Sequence, residues 1–253
     1  MTTFNQLGNK CLNNFTVSAD AALTRSLLCK NYSNLANATA RISATTGGEV
    51  AGDPFFQSAL DTGPTWSWGM DNSNLNKFVL GYNTTLGTAN DIMQAYVSGA
   101  INYPLQPMSM AYLSVTLANA TGNNTPVEPI VFDAVEYDQS GSYDPATGYF
   151  VCPVDGIYLI KGYLTLNNLD AAHTLEASSI VRNFANLFLK QSNPWPTAYS
   201  FLGQSSNNMI YTICTSCVAG DQLSVGMTVG GGTKTVDIMG GIQRSHFSVN
   251  LLG

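Results

Sequence analysis

The chain has 253 residues, a net charge of −6, and only 10% charged residues beside 45% apolar ones, where a soluble globular chain carries about 25% charge. So low a basic content excludes a nucleic-acid face built to neutralise phosphates, and no stretch offers the roughly eighteen uninterrupted apolar residues of a membrane-spanning helix. Five cysteines, Cys11, Cys29, Cys152, Cys214 and Cys217, are an odd count that fits packed free thiols better than a disulfide scaffold.

Helical periodicity is weak along the whole chain, while short β-rich runs broken by Gly, Asn and Pro recur at roughly eight-to-twelve residue spacing, so the expected class is all-β. Residues 1–30 read as a terminal arm whose start has neither the basic nor the apolar region of a Sec signal peptide. Residues 31–103 form a smaller β-rich stem, in which Trp66 and Trp68 share a strand face and Asp71-Asn72-Ser73-Asn74 makes a turn of side chains that bond back to the backbone. Pro104-Leu105-Gln106-Pro107 is an extended linker. Residues 108–253 then suffice for an antiparallel sandwich. In it Leu223, Val225, Met227 and Val229 alternate onto one strand face, whereas Ile157 to Leu166 is apolar on both alternations with Lys161 its one charge. Such a strand needs cover on both sides, from a second layer or from another subunit.

Within the second half, Ile130-Val131-Phe132-Asp133 is followed by Tyr143-Asp144-Pro145-Ala146-Thr147-Gly148-Tyr149-Phe150-Val151-Cys152-Pro153-Val154-Asp155-Gly156-Ile157-Tyr158, with Gly220-Asp221 and a closing run from Ser245 to Leu252 downstream. This order resembles the C1q/TNF-like jelly roll, and Thr147-Gly148 and Asp155-Gly156 are expected to be turns with glycine at positive φ. The resemblance implies a homotrimer, and Tyr158, Ile160, Leu164 and Leu166 are then expected at the trimer interface. In the first half, Gly52-Asp53-Pro54, Thr65-Trp66-Ser67-Trp68-Gly69-Met70-Asp71-Asn72-Ser73-Asn74, Lys77-Phe78 and Leu86-Gly87-Thr88 resemble a β-rich module of phage and other viral fibres and of some bacterial surface proteins.

The remaining candidates have plainer readings. Cys214 and Cys217 lie three apart, so in a strand their sulfurs point to opposite faces and make no metal or redox pair. His173 and His246 have no nucleophile elbow beside them, and no catalytic residue or cofactor is expected. Gly230-Gly231-Gly232 is a hairpin connection rather than a phosphate loop. Asp133, Glu136, Asp138 and Asp144 have the hard oxygens that calcium takes but no recognisable ligand loop, and read either as a calcium site or as solvated turns. The sequons at Asn14, Asn31, Asn37, Asn83, Asn119 and Asn123 are expected in a chain so rich in Asn, Ser and Thr, and without a leader they would stay unglycosylated. Asn193-Pro194-Trp195-Pro196 holds Trp195 in a rigid loop with Tyr199 close behind, and these two aromatics are either the binding contacts or, for Trp195, a plug at the end of the sandwich.

The functional expectation is a homotrimeric virion protein, a fibre, spike or capsid decoration. Its arm would attach to capsid or tail proteins, and its distal head would bind a glycan or protein receptor on the host surface, on the virion exterior and with no membrane insertion. The alternative is a secreted C1q-like adhesin or lectin; a glycan-degrading enzyme would need two close carboxylates in a groove, and the sequence offers no such pair.

Overall fold

The computed structural model describes residues 42–46, 52–60, 62–192 and 206–252, and all regular structure among them is β. The stem is an antiparallel meander of β1 (Phe55–Ala59), β2 (Thr65–Asp71), β3 (Lys77–Gly81), β4 (Asp91–Ala95) and β5 (Ile101–Asn102), hydrogen-bonded in chain order. Its β2–β3 turn is built as the side chains demand. The Asn72 N–H donates to Asp53 Oδ1 (2.8 Å) and the Ser73 hydroxyl to Asp71 Oδ1 (2.7 Å), while Leu75 and Asn76 take φ of 62° and 52°.

The head continues with β6 (Met108–Tyr112), β7 (Leu117–Thr121), β8 (Pro126–Val127), β9 (Ala134–Asp138), β10 (Tyr143–Asp144), β11 (Tyr149–Val151) and β12 (Gly156–Asn167). It ends with β13 (Leu175–Arg182), β14 (Ala185–Ser192), β15 (Asn207–Cys217), β16 (Gln222–Gly230), β17 (Val236–Ile238) and β18 (His246–Leu251). One sheet runs β10-β11-β16-β13-β14 with β8 also on β16; the larger runs β7-β17-β12-β18-β6-β9 with β15 on the free side of β12. Every pairing is antiparallel, and neighbours far apart in sequence make this the crossed-over strand order of a jelly roll.

Alternation closes the two sheets on each other. Leu223, Val225, Met227 and Val229 of β16 face Tyr158, Ile160, Leu164 and Leu166 of β12 across one core, each at most 1% exposed. Phe132 and Tyr143 pack against Phe247, with ring centroids 6.1 and 6.2 Å away. Tyr143 enters the core with its polar end satisfied, since its hydroxyl donates to the Phe132 carbonyl (3.0 Å) and accepts the Phe132 N–H (3.2 Å). Gly148 supplies the expected positive φ (80°), and a Cβ there would meet the Ile130 carbonyl at 2.8 Å. Gly156 differs from expectation: it is the first residue of β12 and is not among the positive-φ glycines. The 104–107 segment is tied to the head, because Gln106 Nε2 donates to the Leu251 carbonyl (2.7 Å) and the Leu251 N–H to the Pro107 carbonyl (2.9 Å).

Candidate functional site

The core placement corrects one expectation. Tyr158, Ile160, Leu164 and Leu166 are each 0% exposed and fill the space between the sheets, so they cannot also face a neighbouring subunit. The other alternation of β12 points outward: Ile157 and Lys161 are exposed, and Leu159, Tyr163 and Thr165 half-buried. The sequence carried the signal for this in Lys161 and Thr165, whose polar groups sit at odd positions and mark the odd side as outward.

Directly paired residues of antiparallel strands share a face, and the register draws a row across four strands. Ile210 of β15 sits opposite Tyr163 of β12, Tyr163 opposite His246 of β18, and His246 opposite Tyr112 of β6. The Tyr163 and His246 rings stack at 5.3 Å and 8°. One step along, Met110 and Tyr137 of β9 extend the same face, on which Ile210 and Tyr137 are 56% and 41% exposed. A row of aromatic and aliphatic side chains therefore stands on the outside of a folded sandwich, flanked by the Lys161–Thr212 and Thr165–Asn208 pairs.

His246 is the one histidine on this face. Its Nδ1 hydrogen-bonds the Ile242 carbonyl (3.0 Å), which favours the charged ring, but burial outweighs that and lowers its pKa. Neutral His246 is thus the form the fold prefers. The resulting stability is whole above the unfolded histidine pKa of about 6.5 and is lost as the pH falls below that toward the lower folded value. Thermal melts followed by circular dichroism should therefore lose midpoint temperature between about pH 7 and pH 5, and His246→Phe should flatten that slope. Asp133, Asp144 and Asp221, whose hydrogen bonds lower their pKa, act in a separate window, since their contribution is lost only below the ordinary carboxylate value near 4. An unchanged slope in His246→Phe would assign the loss to another group.

The other singled-out residues have structural partners. His173, 1% exposed, bridges the Asp170 N–H (Nδ1, 3.0 Å) and the Thr233 carbonyl (Nε2, 3.1 Å), pinning two loops. Three of the acidic residues hold backbone and hydroxyl groups: Asp133 accepts the Ser114 N–H across a loop, Asp138 the Ser142 and Tyr143 N–H groups, and Asp144 the Ala146 N–H and the Thr147 hydroxyl. Among the described residues no group of three or more His, Cys, Asp or Glu side chains converges as a metal set. Cys214 is exposed and Cys217 buried, as their spacing demands; Cys217 instead neighbours Cys152 in the core, where burial pushes both thiols up. Trp195 and Tyr199, and with them Cys11 and Cys29, lie outside the described residues.

With this geometry in hand, comparison with known proteins locates the resemblance. The C1q domain family matches residues 112–193, from the end of β6 past β14. Over 52 residues the chain is 42% identical to Protein HP-25 homolog 1 of Bos taurus, a match covering 21% of this chain and 24% of that one. The chain thus spans about a quarter of the curated relative it matches. Among solved structures it is similar to the globular domain of zebrafish complement 1qA protein, at 15% identity and TM-score 0.38, over 58% of this chain and 98% of that one. It is similar also to Eiger TNF from S. frugiperda, at 15% identity and TM-score 0.41, over 58% and 93%. Murine APRIL, at 8% identity and TM-score 0.42, aligns over 58% and 99%. The strand order and the position of the C1q match together give the head of this chain a C1q/TNF-like jelly-roll fold.

Proposed function

We propose that this chain is the subunit of a homotrimeric C1q-like recognition protein, in which three heads pack through the outward face of the β15-β12-β18-β6 sheet and present their loops to a protein or glycan. The observation that carries this reading is the row Ile210, Tyr163, His246 and Tyr112, apolar and aromatic side chains aligned by register on the outside of a complete sandwich. Such a face requires a partner, and closed symmetry supplies one without a second gene product. A binding module rather than an enzyme is favoured by the singled-out polar groups, which in the described residues bind backbone and turns instead of converging in a groove. The ligand contact proposed for this assembly is the Trp195 and Tyr199 loop, where proline-held aromatics cost little entropy on binding and three copies add avidity.

Two settings fit the subunit. A fibre, spike or decoration on a virion is supported by the stem sequence from Gly52 to Thr88; the alternative, a secreted adhesin or lectin, is a cellular setting, and the likeness to a bovine protein supports a cellular origin. Capsid, portal or tail genes beside its own would select the first, and a secretory leader in the full gene the second. Light scattering after gel filtration should give about three times the 27.0 kDa chain mass at micromolar concentration. A clean monomer would sink the trimer.

A further inference from the structure

The stem sheet has two unlike faces, and only one of them is finished. On the first, Ser67, Asp71, Lys77 and Asp91 are at most 4% exposed, and the loop that joins β3 to β4 lies against Ser67, Asp71 and Asp91. That loop is stitched down: the Ser67 hydroxyl donates to the Asn83 carbonyl (2.6 Å), the Thr88 N–H donates to Asp91 Oδ1 (3.2 Å), and Gly87 lies so close to Asp71 that a Cβ would meet Oδ2 at 2.6 Å. Lys77 donates to Gln94 Oε1 (3.2 Å) and sits 5.5 Å from the Tyr96 ring centroid.

The register places quite different residues on the second face. Phe56 opposes Trp68, which opposes Leu80, and Met70 opposes Phe78. Trp66 meets Tyr82 edge to face at 5.4 Å, and Phe56 stacks on Trp68 at 6.2 Å. Phe56, Trp66, Met70, Phe78 and Tyr82 are 38–47% exposed. With about 200 Å² for each such side chain, the face leaves on the order of 500 Å² of apolar surface open, at the size of the largest patch a typical monomer shows. None of these side chains is charged, so the face offers no electrostatic means of selecting a foreign partner.

We infer that the occupant of this face is the same face on the other two copies of this chain, so that the stem sheets close around the three-fold axis below the heads. This rests on the trimer reading of the head. Three such faces would bury roughly 1,500 Å² together, or about 500 Å² at each of the three pairwise contacts, which is less than a stand-alone specific interface needs. Tethering to trimeric heads supplies an effective concentration in the millimolar range, which turns a contact of this size into a stable one. Every apolar stripe of the stem then has a partner, which an isolated single-layer sheet cannot provide.

The test is cross-linking in the full chain carrying Cys11→Ser, Cys29→Ser and Cys214→Ser. Into this background either Phe78→Cys, at the stem face, or Ile210→Cys, at the head face, is introduced and treated with a short bismaleimide. Phe78→Cys is expected to give covalent dimers in a yield that survives tenfold dilution, since the neighbours belong to one trimer; Tyr82→Cys repeats the measurement should Phe78→Cys fold poorly. Cross-links at Ile210→Cys but none at Phe78→Cys or Tyr82→Cys would overturn the stem contact and leave the trimer standing. Stem cross-links that vanish on dilution would mean contact between separate particles and would also overturn it. A monomer in light scattering with no cross-link at either face removes the trimer reading, and the stem contact with it.

Discussion

Leu164→Asp and Tyr163→Asp, adjacent on β12, are expected to break different things. Leu164 is 0% exposed in the core between the sheets, among groups such as Ile238 and Met209 that can neither ionise nor hydrogen-bond a carboxylate from their side chains. An unpaired carboxylate there costs several kcal/mol even after its pKa rises to neutralise it. Adding the lost leucine packing, about 2–5 kcal/mol for truncation alone, consumes most of the stability a domain has. Leu164→Asp should therefore lose its β signal in circular dichroism, or be insoluble. Tyr163 points the other way, half-buried on the outward face against His246 and Ile210. An aspartate there stays hydrated in the isolated head, so the sandwich survives, but in a trimer three charges are brought into an apolar contact. Tyr163→Asp should keep the β signal and fall to the single-chain mass in light scattering. A Tyr163→Asp variant that remains trimeric would show that the subunits meet elsewhere.

The same pair of residues shows where the sequence was legible and where it was not. The β16 strand could be read directly, since Leu223, Val225, Met227 and Val229 alternate with small or polar residues and all four reach the core. Alternation fails on β12, where both sides are largely apolar because one builds the core and the other the exposed row; only Lys161 and Thr165 distinguish them. The divergence of Cys214 and Cys217 followed from spacing, but the meeting of Cys217 with Cys152 depends on how β11 and β15 end in three dimensions, which no local pattern encodes. Asp71 is the plainest case. In sequence it opens a run of turn-forming polar residues, and in the fold it is 0% exposed because the β3–β4 loop closes over it. Burial of that kind is set by a contact sixteen residues away, at Gly87, not by the neighbours of Asp71 in the chain.

A second large effect is expected from the smallest change available on β12. Gly162 lies opposite Tyr211 of β15 and Phe247 of β18, on the side of the strand that faces the core. Its missing side chain is where Tyr211 goes: a Cβ at position 162 would stand 2.0 Å from the Cε2 and Cζ carbons of that ring and 2.1 Å from its hydroxyl. Tyr211 has nowhere to retreat, being 3% exposed, and burial without a hydrogen-bond partner for its hydroxyl among the described residues already raises its pKa well above the ordinary value. Gly162→Ala must then displace a ring or separate β12 from β15 along their eleven paired positions. Overpacking usually costs about 1–3 kcal/mol, and an overlap this deep belongs at or beyond the upper end. In a domain of this size about 3 kcal/mol lowers the melting midpoint by roughly 10 °C, which calorimetry resolves easily. Tyr211→Phe alone removes the buried orphan hydroxyl and should be neutral or stabilising by about 1 kcal/mol. Tyr211→Val should be destabilising by itself yet recover part of the Gly162→Ala loss, because the two residues contend for one volume and their effects are not additive. A Gly162→Ala protein that melts with the wild type would mean that Tyr211 does not lie over Gly162, and that the β12–β15 packing differs from the one described.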